Sequence, residues 1–181
     1  MNRVMCLAED MGIGIFYTDT DSMHIQNSKV DELAEEFKRK YQQEMIGNGV
    51  GQFHVDFDFK SCFSKEGDTL VRNTKPSTGE IVAKKAIFLG KKSYIDHLVD
   101  EAGVEAYHVR LKGIPIKCIM SKCNRDYDGC PMKLFDDMFA GNPVDFELGA
   151  FGHVMFKTGK DHQVSSEKMT RTIRFNTHTE T

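Results

Sequence analysis

Residues 12–25 read GIGIFYTDTDSMHI. Two short apolar runs, Ile13–Tyr17 and Ser22–Ile25, flank Asp19-Thr20-Asp21, a pattern that predicts a β-hairpin with two carboxylates at its tip. Acidic groups weaken strands, and an unpaired buried carboxylate is very unfavourable. Held in a tight turn by apolar strands, Asp19 and Asp21 therefore predict a rigid, oxygen-rich cation site. Mg²⁺ favours one or two carboxylates together with substrate phosphates. In two-metal phosphoryl transfer the ions lie about 3.5–4 Å apart and stabilise the attacking and leaving oxygens together. A solvated turn rich in Asp and Thr is the plain alternative. The D-T-G-S signature of aspartic proteases needs Gly where Asp21 stands, and a second D-T-G lobe is absent.

Working outward, Val4, Leu7, Ala8 and Met11 recur at helical spacing, so a helix is predicted over 2–11 with Gly12 as its stop. After the hairpin, Asn27-Ser28 offers an N-cap for a helix over about 29–46. Val30, Leu33, Phe37, Tyr41 and Met45 form its apolar stripe, and Gly47 ends it. In QFHVDFDFKSCF, Phe53, Val55, Phe57 and Phe59 alternate with polar residues, which predicts a half-buried strand. NTKPSTGE is a turn around Pro76 and Gly79, leading to one or two strands in EIVAKKAIFLGKKSYIDHL and another in EAYHVRLKGIP. A short helix follows Pro131, and two or three strands close the chain. The order predicts an α+β fold.

The 181 residues suffice for one ordinary domain or two small lobes, and 40% hydrophobic with 28% charged residues argues against disorder. No apolar run approaches the roughly 20 residues needed to span a bilayer. The start, MNRVMCLAEDMGIG, has one basic residue and soon meets Glu9 and Asp10, unlike a secretory signal. An intracellular location without a membrane partner is expected. Five cysteines, an odd number, predict free thiols in a reducing compartment. CIMSKCNRDYDGC has spacings of four and six intervening residues, which lack the short pairs typical of zinc sites except at the outer limit, and no His pair follows it. The charge is uneven: residues 1–59 hold 5 Lys/Arg against 11 Asp/Glu, residues 60–125 hold 13 against 7, and residues 126–181 hold 6 against 9. An acidic first third followed by a basic middle suits a cation site beside a polyanion track.

The string Y-x-D-T-D-S between hydrophobic strands resembles motif C of family B DNA polymerases. AKKAIFLGKKSYID resembles those enzymes' K-x-Y element, with Lys91 or Lys92 and Tyr94, and VRLKGIP places Lys112-Gly113 where they pass from palm to thumb. The tail, with KLFDDMFAG and TRTIRF, looks most like the thumb of the protein-primed branch that serves viruses and linear plasmids. The resemblance implies a partial palm over 1–110, an antiparallel sheet with helices and the motif C hairpin. A small thumb with a short helix and terminal strands would follow over 111–181. It also implies Asp19 as a direct Mg²⁺ ligand, Asp21 as the supporting acid, and Tyr17, Thr20 and Ser22 as shapers of the turn. Lys92 and Tyr94 would hold the primer terminus, while Lys84, Lys85, Lys91 and Lys112 would add phosphate contacts that position DNA without reading bases.

The implied partners are primer–template DNA, a deoxynucleoside triphosphate, the remainder of the polymerase and a terminal priming protein, at a site of viral, plasmid or organellar replication. Nothing resembles motif A, the fingers helix or the exonuclease motifs. The expectation is thus a truncated product, the second half of a split gene or a partial sequence, catalytically incomplete alone. Asp56 and Asp58 are read as salt-bridging surface acids or as donors to the carboxylate cluster, His97 and His108 as surface histidines, and Met1, Met5, Met11 and Met23 as core filler. Two alternatives stay open: a non-catalytic DNA-binding remnant, and a small zinc-binding module organised by Cys118, Cys123, Cys130 and His108.

Overall fold

A computed structural model describes residues 1–54, 57–152, 154–160 and 163–176. The chain divides into two units, Met1–Asp56 and Phe57–Thr181, and its fold is mixed α and β.

In the first unit, α1 (Asn2–Asp10) turns Val4, Leu7 and Ala8 inward. Gly12, at φ +68°, ends it as expected. The Gly12 N–H donates to Glu9 O (2.9 Å) and the Ile13 N–H to Ala8 O (2.8 Å), so the last helical carbonyls are satisfied as Ile13 enters the core. The hairpin forms from β1 (Ile15–Asp19) and β2 (Ser22–Ile25). A 3₁₀ turn at Asn27–Lys29 leads into α2 (Val30–Tyr41), with no side-chain cap from Asn27 or Ser28 at its start.

Helix α2 stops five residues before the end expected from the apolar stripe. Gln42 adopts the left-handed conformation (φ +56°), and its side-chain amide donates to Arg39 O at 3.0 Å. Lys38, Arg39 and Lys40 crowd this last turn, where the negative end of the helix favours cations. Met45 still reaches the core, with its carbonyl tied to the Phe53 N–H at 2.8 Å. It joins Val4, Leu7, Ile13, Leu33 and Phe37.

The strand expected across 52–63 does not form over 52–54 and 57–62. Phe53 makes only an isolated parallel bridge to Ile46. The Asp58 carboxylate accepts the Lys60 N–H (3.0 Å) and caps a 3₁₀ turn at Phe59–Ser61. That local bond offers the backbone an alternative to the ladder. Val55 and Asp56 lie outside the described residues.

The second unit is built on a five-stranded antiparallel sheet of order β4-β3-β7-β6-β5, from β3 (Phe63–Glu66), β4 (Thr69–Arg72), β5 (Ile81–Gly90), β6 (Ser93–Asp100) and β7 (Glu105–Leu111). Helices α3 (Ile116–Asp126) and α4 (Pro131–Phe139) follow. One core cluster joins Ile95, Val109 and Leu111 of the sheet to Ile119 of α3 and Leu134 and Phe135 of α4. Leu98 and Ala106 cluster separately with Phe59 and Cys62. Next come β8 (Val144–Glu147), β9 (Val154–Thr158), β10 (Val164–Lys168) and β11 (Thr170–Ile173). β11 pairs with β8, and β9 with β10 as a fully exposed ribbon. Helix α3 and the β3–β4 hairpin go beyond what the sequence pattern predicts. Among the described residues no helix is long and apolar enough to cross a membrane.

Candidate functional site

The first unit presents its carboxylates through a register shift. Ile15 faces Ile25 across the β1–β2 ladder, but Tyr17 faces His24, so one extra residue is accommodated at Phe16. Side chains alternate along a strand, and without this bulge Ile15, Tyr17 and Asp19 would share one face. Ile15, Met23 and Ile25 pack against the core, so that shared face would be apolar. The bulge instead leaves Phe16 63% exposed and groups Tyr17 with His24, and Asp19 with Ser22, on the opposite face. The Tyr17 and His24 rings meet edge-on at 5.5 Å.

The tip is tight. The Asp21 N–H donates to Asp19 O at 2.5 Å, and the intervening Thr20 sits at φ +50°. A three-residue turn with positive φ at its centre is rare and strained, more so for a β-branched residue. Hydroxyls brace it: Thr20 Oγ1 donates to Asp19 Oδ1 (3.2 Å) and Ser22 Oγ to Asp19 O (3.1 Å). Asp19 is half-buried and Asp21 exposed. The donors are hard oxygens, which suits Mg²⁺. Among the described residues no three His, Cys, Asp or Glu side chains gather as a metal-binding group, so the hairpin offers a pair of carboxylates and no more. A cavity of about 470 Å³ elsewhere in this unit is lined by Arg3, Val4, Phe37, Met45 and Phe53, away from the tip.

In the second unit, Gly90 faces Ser93, which makes Lys91-Lys92 a two-residue loop with Lys92 at φ +60°. Ser93 in turn faces Leu111 and Tyr94 faces Arg110. Lys112 follows, its N–H donating to Ser93 Oγ at 3.3 Å. Lys91, Lys92, Arg110 and Lys112 are therefore gathered at one end of three adjacent strands, and all four are exposed. The opposite end carries Glu80, Asp100, Glu101 and Glu105. Hydrogen bonds from the Thr78 (2.9 Å) and Val104 (2.8 Å) N–H groups hold the Asp100 carboxyl below the usual range, against the opposing effect of burial.

Lys84 and Lys85 are not part of the basic end. Lys85 faces His97, roughly 20 Å along β5 from the Lys91 loop at about 3.3 Å per residue. Lys84 pairs with Glu105 (3.6 Å) and Lys85 with Asp136 (3.4 Å). Sequence reasoning misses Arg110, although a signal is present: a cation two residues before Lys112 on an alternating strand.

The two histidines read as surface groups are not freely solvated. His97 stacks on Tyr107 with ring centroids 4.9 Å apart. His108 is 8% exposed and bonded through Nδ1 to Asp96 Oδ2 at 3.2 Å. Cys118 and Cys123 lie on α3 inside the hydrophobic core, and burial pushes the Cys123 thiol up to about 12. Cys130 stands at the N-terminal boundary of α4. Asp58 is exposed and caps its turn, and Met11 and Met23 pack against the first unit's core. No family model, curated protein or solved structure matches this chain.

Proposed function

We propose that the chain carries the C-terminal palm and thumb portion of a family B DNA polymerase, most similar to the protein-primed branch. Its reaction is template-directed nucleotidyl transfer onto a primer terminus. The observation that carries this reading is the Phe16 bulge, which turns Asp19 away from the apolar core face of an otherwise hydrophobic hairpin while the turn keeps Asp21 two residues away. A structural hairpin has no use for that reversal; a carboxylate that must meet cations does.

In this reading Asp19 is the direct ligand and Asp21 the supporting acid, with Tyr17, Thr20 and Ser22 fixing the turn. Two Mg²⁺ ions, when bound, would neutralise charge on the attacking oxygen and on the triphosphate leaving group. Lys91, Lys92 and Lys112 meet backbone phosphates, and Tyr94 holds the primer strand. The other carboxylate ligands and the nucleotide-gripping fingers belong to a partner segment, so the isolated chain does not extend a primer.

The test is primer extension with Mg²⁺ and all four nucleotides. The chain is assayed alone and then mixed with a polypeptide bearing motif A and the fingers of the same polymerase. The proposal expects no synthesis by the chain alone and synthesis in the mixture that Asp19→Ala abolishes. Asp19-independent synthesis in the mixture would overturn the assignment.

A second reading, DNA binding without chemistry, is favoured by one observation: the basic strand ends lie in the second compact unit, whereas the carboxylates lie in the first. Salt-dependent DNA binding, with no synthesis in any mixture, is its signature.

A further inference from the structure

Asp96 lies in the middle of β6 with no solvent exposure. A carboxylate in such a place is costly unless it is paired and hydrogen-bonded. Its cross-strand neighbour on β7 is His108, whose Nδ1 approaches Asp96 Oδ2 at 3.2 Å. The imidazole is flanked by two aromatic rings, Phe57 with its centroid 5.7 Å away and Tyr94 also at 5.7 Å. Tyr94 is the diagonal neighbour of His108 in the ladder, since Tyr94 faces Arg110 and Asp96 faces His108. Diagonal pairs lie within reach of aromatic side chains. Asp96, His108 and Tyr94 thus form a chain that runs from the sheet interior to the basic strand ends.

We propose that His108, oriented by Asp96, is a positioning residue for Tyr94, holding its ring so that the phenol meets the sugar–phosphate backbone of a nucleic acid in one orientation. This rests on the reading of Tyr94 as a primer-strand contact. With Nδ1 committed to Asp96, the imidazole cannot rotate without breaking a buried hydrogen bond, so it presents a fixed face to the Tyr94 ring, which also meets Phe88 at 6.1 Å. The buried acid, otherwise a liability in a sheet, gains a purpose. Asp58, Asp96 and Arg110 all act on the Cys62 thiol, but it is His108 that bonds to the Asp96 carboxylate and also meets the Tyr94 ring.

The experiment measures the affinity of the full chain for labelled primer–template DNA at several salt concentrations, in four versions: native, Tyr94→Phe, the pair Asp96→Asn with His108→Phe, and all three changes together. The pair variant removes the buried anion along with its partner and keeps a ring at 108, so that it folds; thermal unfolding checks this. Tyr94→Phe is expected to weaken binding about threefold to tenfold, the worth of one hydrogen bond. The pair variant should lose as much, and the triple variant no more than either, because the changes break one interaction. The salt slope should not move, since no cation is removed.

Losses that multiply in the triple variant, or a pair variant that binds like the native chain, would overturn the positioning role while leaving Tyr94 as a DNA-binding residue. Native affinity in Tyr94→Phe would instead overturn the reading of Tyr94 itself, and the inference with it. If the pair variant does not fold, Asp96→Asn alone replaces it in the same comparison, with the same two outcomes.

Discussion

Tyr17 stands opposite His24 in the β1–β2 ladder, and this pairing, one residue out of step with Ile15 and Ile25, sets the direction of Asp19. Deleting Phe16 should leave a regular ladder in which Ile15 faces Ile25, Tyr17 faces His24 and Asp19 faces Ser22, with Asp19 still on the face away from the core. Denaturant unfolding should show only a small loss for the deletion, because the residue removed is the exposed extra one. Phe16→Ser, at an exposed position, should stay within about 0.5 kcal/mol of native. A deletion variant that loses several kcal/mol would show that Phe16 is not the extra residue of this ladder.

Thr20 carries strain for the turn. Thr20→Gly should stabilise the chain by about 1 kcal/mol, the order of the penalty for a side chain in the left-handed region. That amounts to a rise of about 2–4 °C in Tm. In the reconstituted primer-extension mixture the same variant should be slower, because the freed turn holds Asp19 and Asp21 less firmly. Faster synthesis would mean that the strained turn has no part in placing them.

The lysines divide by location. Lys91→Ala with Lys92→Ala should weaken DNA binding and reduce the magnitude of the log–log salt slope by nearly two, since each neutralised phosphate contributes about 0.9. Lys84→Ala with Lys85→Ala should leave both quantities close to native, because these side chains pair with Glu105 and Asp136 away from the basic strand ends. Equal effects from the two double variants would point to diffuse electrostatics rather than a located site.

Asp100 gives the second unit a pH dependence. Its folded carboxyl is held below the ordinary value by the Thr78 and Val104 N–H groups, so its contribution is present above the unfolded value of about 3.9 and fades as pH falls through the folded one. Asp100→Asn should be less stable than native at pH 7, and the gap should close below about pH 4. A gap that stays constant as the solution is acidified from neutral would contradict the assignment.

Thiol labelling should follow burial. Cys6 is exposed and should react first. Cys62, pushed up to about 11, and Cys123, pushed up to about 12, both by burial, should react only on unfolding. Protection of Cys118, Cys123 and Cys130 that a zinc chelator removes would revive the zinc-binding alternative.

Much of this fold is legible in the sequence, for local reasons. The α1 stop is written in Gly12, the hairpin in its flanking apolar runs, and α4 between Pro131 and Gly141. The reversal at Phe16 is not legible, since a bulge depends on which residues of two strands face each other. Helix α3 is hidden because Cys118 and Cys123 read as possible ligands, whereas they serve as small apolar residues on a buried face. The early end of α2 turns on Gln42 accepting a left-handed backbone, which its composition does not announce. The Asp96–His108 bond joins residues twelve apart, and only the β6–β7 register brings them together.

The opposed charges at the two ends of β5, β6 and β7 also bear on encounter. Lys91, Lys92, Arg110 and Lys112 stand roughly 20–25 Å from Asp100, Glu101 and Glu105, given about 3.3 Å per residue along the strands. Charges separated in this way form a dipole parallel to the strands. The field of a polyanion would exert a torque on this dipole and favour approach of the second unit with the lysine loop leading. Orientation before collision raises the fraction of productive encounters, and added salt shortens the distance over which the torque acts. If the second unit binds a nucleic acid as proposed, the asymmetry of the sheet would show in association rates as much as in the bound state.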